Sequence, residues 1–141
     1  MIVRYLVVSD RAEWQPLWDG YLEFYEEQLA PEITDDTFAR LCDQRDGFAA
    51  HVAVDDTGKL VGFAHTLTHP STWTSDRYVY IEDLFVAPDV RRGGVGRALF
   101  AAVYERAGGR HVYWHTQETN TVGRALYDKI GKNSGFIVYE R

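Results

Sequence analysis

Tyr80-Ile81-Glu82-Asp83-Leu84-Phe85-Val86-Ala87-Pro88-Asp89-Val90-Arg91-Arg92-Gly93-Gly94-Val95-Gly96-Arg97-Ala98-Leu99-Phe100 is the stretch that decides the fold. From Tyr78 to Val86 the residues are mostly apolar or aromatic, which predicts a long strand, with Glu82 and Asp83 interrupting it. Val95 to Arg106 has Leu99 and Val103 at helical spacing, and Gly108-Gly109 supplies the stop. Between strand and helix lies Arg91-Arg92-Gly93-Gly94-Val95-Gly96. A glycine-rich turn that opens a helix suits an anion. Without Cβ atoms the backbone can approach closely, the first helical N–H groups are unpaired, and the helix dipole favours negative charge. Arg91, Arg92 and Arg97 add charge-assisted donors for phosphate.

Two familiar phosphate patterns do not fit. A P-loop needs Lys-Ser or Lys-Thr after its last glycine, and a dinucleotide fingerprint needs a third glycine where Leu99 stands. On its glycines alone, the turn reads equally well as a tight connection with no ligand.

Outward from this stretch, Ile2 to Val8 predicts a strand, and Ser9 or Asp10 a helix cap with Glu13 placed for a capping box. Trp14, Leu17, Trp18, Tyr21, Leu22 and Tyr25 fall at helical spacing, with Pro16 early in that helix and Pro31 in the turn after it. A shorter helix starts at Thr34 or Asp35. Phe48 to Val54 and Leu60 to Leu67 form a hairpin around Asp55-Asp56-Thr57-Gly58, followed by a loop at His69-Pro70-Ser71-Thr72. Past the glycine-rich turn and its helix, His111 to Thr116 predicts a strand, Thr121 to Lys129 a helix and Phe136 to Tyr139 a last strand. Early hairpins and late βαβ crossovers imply a mixed sheet with helices on its faces.

The 141 residues suit one domain, 1–141, able to build a core without disulfides. No apolar run is long enough to span a membrane, the N-terminus does not read as a secretory signal, and Cys42 stands alone, so the cytoplasm is the expected location. A net charge of −6 argues against nonspecific nucleic-acid binding and agrees with a cationic substrate as well as with plain solubility. His65 and His69 lie on a strand and a loop, so their spacing does not make a metal pair, and no metal is expected.

Arg91-x-x-Gly94-x-Gly96 resembles the acyl-CoA pyrophosphate loop of the GNAT superfamily, Arg/Gln-x-x-Gly-x-Gly/Ala. Tyr80 to Val86 resembles that family's central strand. Arg97-Ala98-Leu99-Phe100, Val112-Tyr113-Trp114-His115-Thr116, Asn120 and Ala125-Leu126-Tyr127 resemble its following helix, strand and helix. The likeness covers roughly the last two-thirds of the chain, the first third matching in element order, and is greatest to the Hpa2-like branch, with diamine acetyltransferases near it. One departure is local: the usual Arg-Gly-x-Gly is here Arg91-Arg92-Gly93-Gly94.

The resemblance implies an α+β, GNAT-like acyl-CoA N-acyltransferase fold, a mixed and mostly antiparallel sheet flanked by helices. It implies an enzyme that moves acetyl from acetyl-CoA to a primary amine by direct attack. The acceptor can be a polyamine, an amino acid or a lysine on a peptide or protein. A bulged central strand would pair Leu84, Phe85 and Val86 with pantetheine, their N–H groups polarising the thioester carbonyl. Arg91, Arg92, Gly93, Gly94, Val95, Gly96 and Arg97 would hold the pyrophosphate. Glu82, or else Asp83, would be the base, since a carboxylate in an apolar strand is harder to charge. Tyr127 would protonate the departing thiolate, and Asn120 would bond the cofactor or simply cap its helix. His69 and Trp73 are candidates for the acceptor pocket, and Glu23, Glu26, Glu27, Asp35 and Asp36 for attracting a cation. The competing readings are a CoA-binding module without turnover, against which Glu82 and Tyr127 both stand, and a nucleotide-binding protein. The short C-terminus leaves a sheet edge that a second subunit would cover, giving a homodimer.

Overall fold

The computed structural model describes residues 1–141. Strands β1 (Ile2–Tyr5), β2 (Phe48–Val54), β3 (Leu60–Ser71), β4 (Thr74–Val86) and β5 (Val112–Trp114) form a single sheet in that spatial order. The first four are antiparallel neighbours and β5 runs parallel to β4. Helices α1 (Arg11–Phe24) and α2 (Pro31–Asp43) precede β2, α3 (Val95–Ala107) joins β4 to β5, and α4 (Thr121–Ile130) follows β5.

The helices divide the core between the two sheet faces. On one face α1 and α2 place Trp14, Leu17, Trp18, Phe38 and Leu41 against Val52, Phe63 and Phe85. On the other, α3 places Val95, Leu99, Phe100 and Val103 against Ala53, Ala64, Val79 and Ile81, with Leu126, Tyr127 and Ile130 of α4 at its margin. Close approach needs small residues. A Cβ on Gly20 would sit 3.0 Å from the Phe85 ring, and one on Gly62 would sit 2.9 Å from the Phe85 carbonyl oxygen.

Several boundaries differ from expectation. Pro31 is the first residue of α2 rather than part of the preceding turn, because a missing N–H is free of cost at a helix start. No capping box forms at α1. Asp10 accepts from Arg4 and from the Val7 N–H, and Glu13 turns to the Leu60 N–H at 3.4 Å. His69-Pro70-Ser71 continues β3, and β4 begins at Thr74, lengthening that hairpin beyond the loop expected there. Phe136 to Tyr139 forms no strand, since no other segment of the chain pairs with it.

Candidate active site

The register of β3 against β4 breaks twice, once near the hairpin tip between Pro70 and Ser71 and once in the middle of the sheet. His65 pairs with Asp83 and Thr66 with Ile81, so Glu82 has no partner and forms a β-bulge. The extra residue reverses the facing of the strand. Before it, Val79 and Ile81 point to α3; after it, Leu84 and Val86 pack on that face, while Phe85 joins the α1 side. On its other edge β4 pairs with β5 only at Val79, Tyr80 and Ile81. The ladder ends at Ile81 and Trp114, which leaves a gap beyond the bulge: Leu84 and Val86, whose main-chain groups point away from β3, have no strand beside them on this edge. The sheet therefore presents an unpaired edge where an extended ligand can add hydrogen bonds as a strand would.

The glycine-rich turn stands at the end of that edge. Gly94 has φ 82° and is the N-cap of α3. The first helical bond runs from the Ala98 N–H to the Gly94 carbonyl, leaving the Val95, Gly96 and Arg97 N–H groups ahead of it. Val95 itself is buried, so only its backbone can serve a ligand. Arg92 takes φ 73°, a left-handed conformation that glycine adopts more readily, which is where its exchange with Gly93 leaves its mark. The Arg91 Nε donates to the Val86 carbonyl at 3.1 Å with its guanidinium over Phe85, tying the turn to the strand. Arg92 and Arg97 are exposed.

Across the gap stands α4. Asn120 caps it, its oxygen accepting from Gly123 and its Nδ2 donating to Thr116 Oγ1 at 3.0 Å. One amide hydrogen is left for a ligand. Tyr127 packs its ring against Phe100 and Trp114, each 5.7 Å away between centroids. Burial raises the pKa of its hydroxyl, and the Tyr25 phenol nearby raises it further. Tyr25 packs edge-on against Tyr21, on the opposite sheet face.

On the α1 side, Tyr21 and Tyr25 also face Asp83. Partial desolvation raises the Glu82 carboxyl above the ordinary carboxylate range, and the neighbouring Asp83 charge adds to it; Tyr80, His115 and His65 oppose the shift. Glu82 itself is accessible to solvent. His69 accepts or donates at Nε2 to the Tyr113 hydroxyl at 2.7 Å, whereas Trp73 stands at the hairpin tip, 85% exposed and away from this wall. Of the acidic residues around α1 and α2, Asp35 pairs with Arg11 and Asp36 with Arg40. His65, weighed in the sequence only as half of a metal pair, has a ring that bonds both Trp14 and Asp83.

The family model described as acetyltransferase (GNAT) family matches residues 14–131. The chain belongs to the GNAT acetyltransferase family. It is 35% identical to the D-amino-acid N-acetyltransferase HPA3 of Saccharomyces cerevisiae, over all of this chain and 90% of that one. It is 26% identical to the uncharacterized N-acetyltransferase YhfO of Bacillus subtilis, over 99% of this chain and 95% of the other. Among solved structures, a probable acetyltransferase superposes with TM-score 0.87 at 22% identity, covering all of this chain and 97% of that one. The aminoglycoside acetyltransferase AAC(6')-Iy, in complex with a bisubstrate analogue of CoA, superposes with TM-score 0.83 at 21% identity, over 99% and 96% of the two chains. As a GNAT enzyme the chain is an acetyl-CoA-dependent N-acetyltransferase, and its mixed five-stranded sheet is the fold of these neighbours. No helix is long and apolar enough to cross a membrane.

Proposed function

We propose that this GNAT enzyme acetylates the amino group of a small free acceptor, an amino acid in the first instance, with Glu82 as base and Tyr127 as acid. The observation that carries this reading is the gap between β4 and β5. It opens past the bulge that frees Glu82, and Tyr127 packs on Trp114, where β5 ends. Leu84, Phe85 and Val86 would pair with the pantetheine arm. The N–H groups of Val95, Gly96 and Arg97, with Arg91, Arg92, Gly93 and Gly94, would hold the pyrophosphate, and Asn120 would offer its spare amide hydrogen.

In the reaction the ammonium form of the acceptor gives one proton to Glu82, directly or through water, and the neutral amine nitrogen attacks the thioester carbon. The tetrahedral oxyanion is met by main-chain N–H groups at the strand edge. The carbon–sulfur bond then breaks, the departing thiolate takes the Tyr127 proton, and the amide nitrogen gives up its extra proton, which returns Tyr127 to its phenol form. The free amino acid as acceptor rests on the 35% identity to a D-amino-acid N-acetyltransferase across the whole chain. The test is CoA release from acetyl-CoA with D-amino acids, L-amino acids, polyamines and a lysine peptide. Turnover confined to the amino acids supports the acceptor class; turnover confined to polyamines or the peptide refutes it.

A homodimer belongs to the same proposal. Phe136, Ile137 and Tyr139 are 88%, 75% and 87% exposed, and β5, three residues long, has a free outer edge. Exposed β-prone apolar residues and an open sheet edge each favour pairing with a second copy.

A further inference from the structure

Trp14, His65 and Asp83 form one hydrogen-bonded chain from α1 to the bulge of β4. The Trp14 indole lies 3.1 Å from His65 Nε2, and His65 Nδ1 lies 2.9 Å from Asp83 Oδ2. Trp14 is 0% and His65 2% exposed. An indole N–H can only donate. Nε2 therefore accepts, the ring proton sits on Nδ1, and Nδ1 donates to Asp83; the tautomer is assigned from these partners. The ring is held flat against Phe63, centroids 4.2 Å apart and planes 11° from parallel. An imidazole sunk in an aromatic cluster costs stability unless both nitrogens are bonded, and a leucine would fill the site without that demand.

The placement explains the demand. His65 and Asp83 are cross-strand partners at the step where the register skips Glu82. The charged or titratable groups facing the two carboxylates are Tyr21 from α1 and Tyr25 just past its end, His65 from β3, Tyr80 from β4, and Tyr113 and His115 from β5 and the turn after it. None is a lysine or arginine; the Tyr21 phenol also bonds Asp83, and the His65 N–H is the buried donor that holds its Oδ2 at 2.9 Å.

We propose that Trp14 and His65 are positioning residues for acetyl transfer. By pinning one oxygen of Asp83 they set the bulge and leave Glu82 as the carboxylate that meets the amine. The inference rests on the role given to Glu82 above. Because the indole already donates to Nε2, His65 holds Asp83 rather than taking a proton from the substrate.

The test compares wild type, His65→Leu, His65→Gln and Trp14→Phe in the full chain, with nitrogen NMR of the histidine rings. Glutamine can donate to Asp83 and accept from Trp14, whereas leucine can do neither. The expected kcat of His65→Leu is about tenfold below wild type with KM for acetyl-CoA unchanged, and His65→Gln recovers to within about threefold. The NMR of the wild type should show the Nδ1–H tautomer of His65, and Trp14→Phe should lose that fixed state. An unchanged kcat in His65→Leu, a His65→Gln variant no better than it, or an Nε2–H tautomer in the wild type would each overturn the proposal. Should His65→Leu fail to fold, Trp14→Phe carries the kinetic comparison, with an unchanged kcat as the refuting result. Should the wild type acetylate no amine, the function proposed above fails, and the tautomer alone then decides this inference either way.

Discussion

Gly94 and Gly58 offer a matched pair for testing how the glycine-rich turn works. Their φ values are 82° and 87°, and a Cβ on either would meet no atom within 4 Å. Alanine at each position is thus opposed by backbone conformation alone. A left-handed alanine costs about 1–2 kcal/mol relative to a right-handed one, offset in part by the lower entropy of the unfolded chain, so each variant should lose about 1 kcal/mol. For a domain of this size that lowers Tm by about 3 °C. The consequences for binding differ because Gly58 lies in the β2–β3 turn while Gly94 caps α3. A Gly94→Ala turn that relaxes toward negative φ swings the Val95, Gly96 and Arg97 N–H groups off the phosphates. Losing one such charge-assisted bond weakens acetyl-CoA binding about tenfold. Thermal melts and calorimetric titration with acetyl-CoA measure both quantities. Equal weakening in the two variants, or wild-type affinity in Gly94→Ala, would refute the reasoning.

Tyr127→Phe keeps the ring on Phe100 and Trp114 and removes only the hydroxyl, so melting should move little while kcat falls about a hundredfold, measured by CoA release. Glu82 has a raised pKa, so kcat/KM should fall as pH drops through a value above the usual carboxylate range, and Glu82→Gln should abolish that limb. In stability the sign is opposite to that of an ion-paired carboxylate. A raised folded-state pKa opposes folding once Glu82 must ionise, so Glu82→Gln should melt no lower than wild type at pH 7. Removing residues 135–141 should convert a dimer to a monomer in size-exclusion with light scattering; a wild-type monomer contradicts the role given to the tail.

Much of the arrangement is legible in residue order. Apolar spacing marks the strands around Phe48–Val54 and Tyr78–Val86 and the helix from Val95, and the glycines mark where that helix begins. Glu82 and Asp83 stand out because charge is costly in an apolar strand. What periodicity leaves out is the pairing. The bulge exists only as a skipped residue between two strands, and the spread of β4 from β5 depends on a contact that ends at Trp114. The Trp14–His65–Asp83 chain joins residues 51 and 18 positions apart. One signal for it was present: a tryptophan on the apolar face of a helix needs an acceptor for its N–H, and a histidine amid apolar residues of β3 is a suitable one. Phe136 to Tyr139 shows the converse, β-prone residues that make no strand without a neighbour to pair with.

The claim on which the rest depends is that acetyl-CoA lies in the gap between β4 and β5. A crystal structure of the complex tests it most directly. The account predicts pantetheine paired with the backbone of Leu84 to Val86, pyrophosphate on the N–H groups of Val95 to Arg97, and the thioester sulfur within hydrogen-bond reach of the Tyr127 hydroxyl. Cofactor bound elsewhere, or bound there with its sulfur turned away from Tyr127, would contradict it.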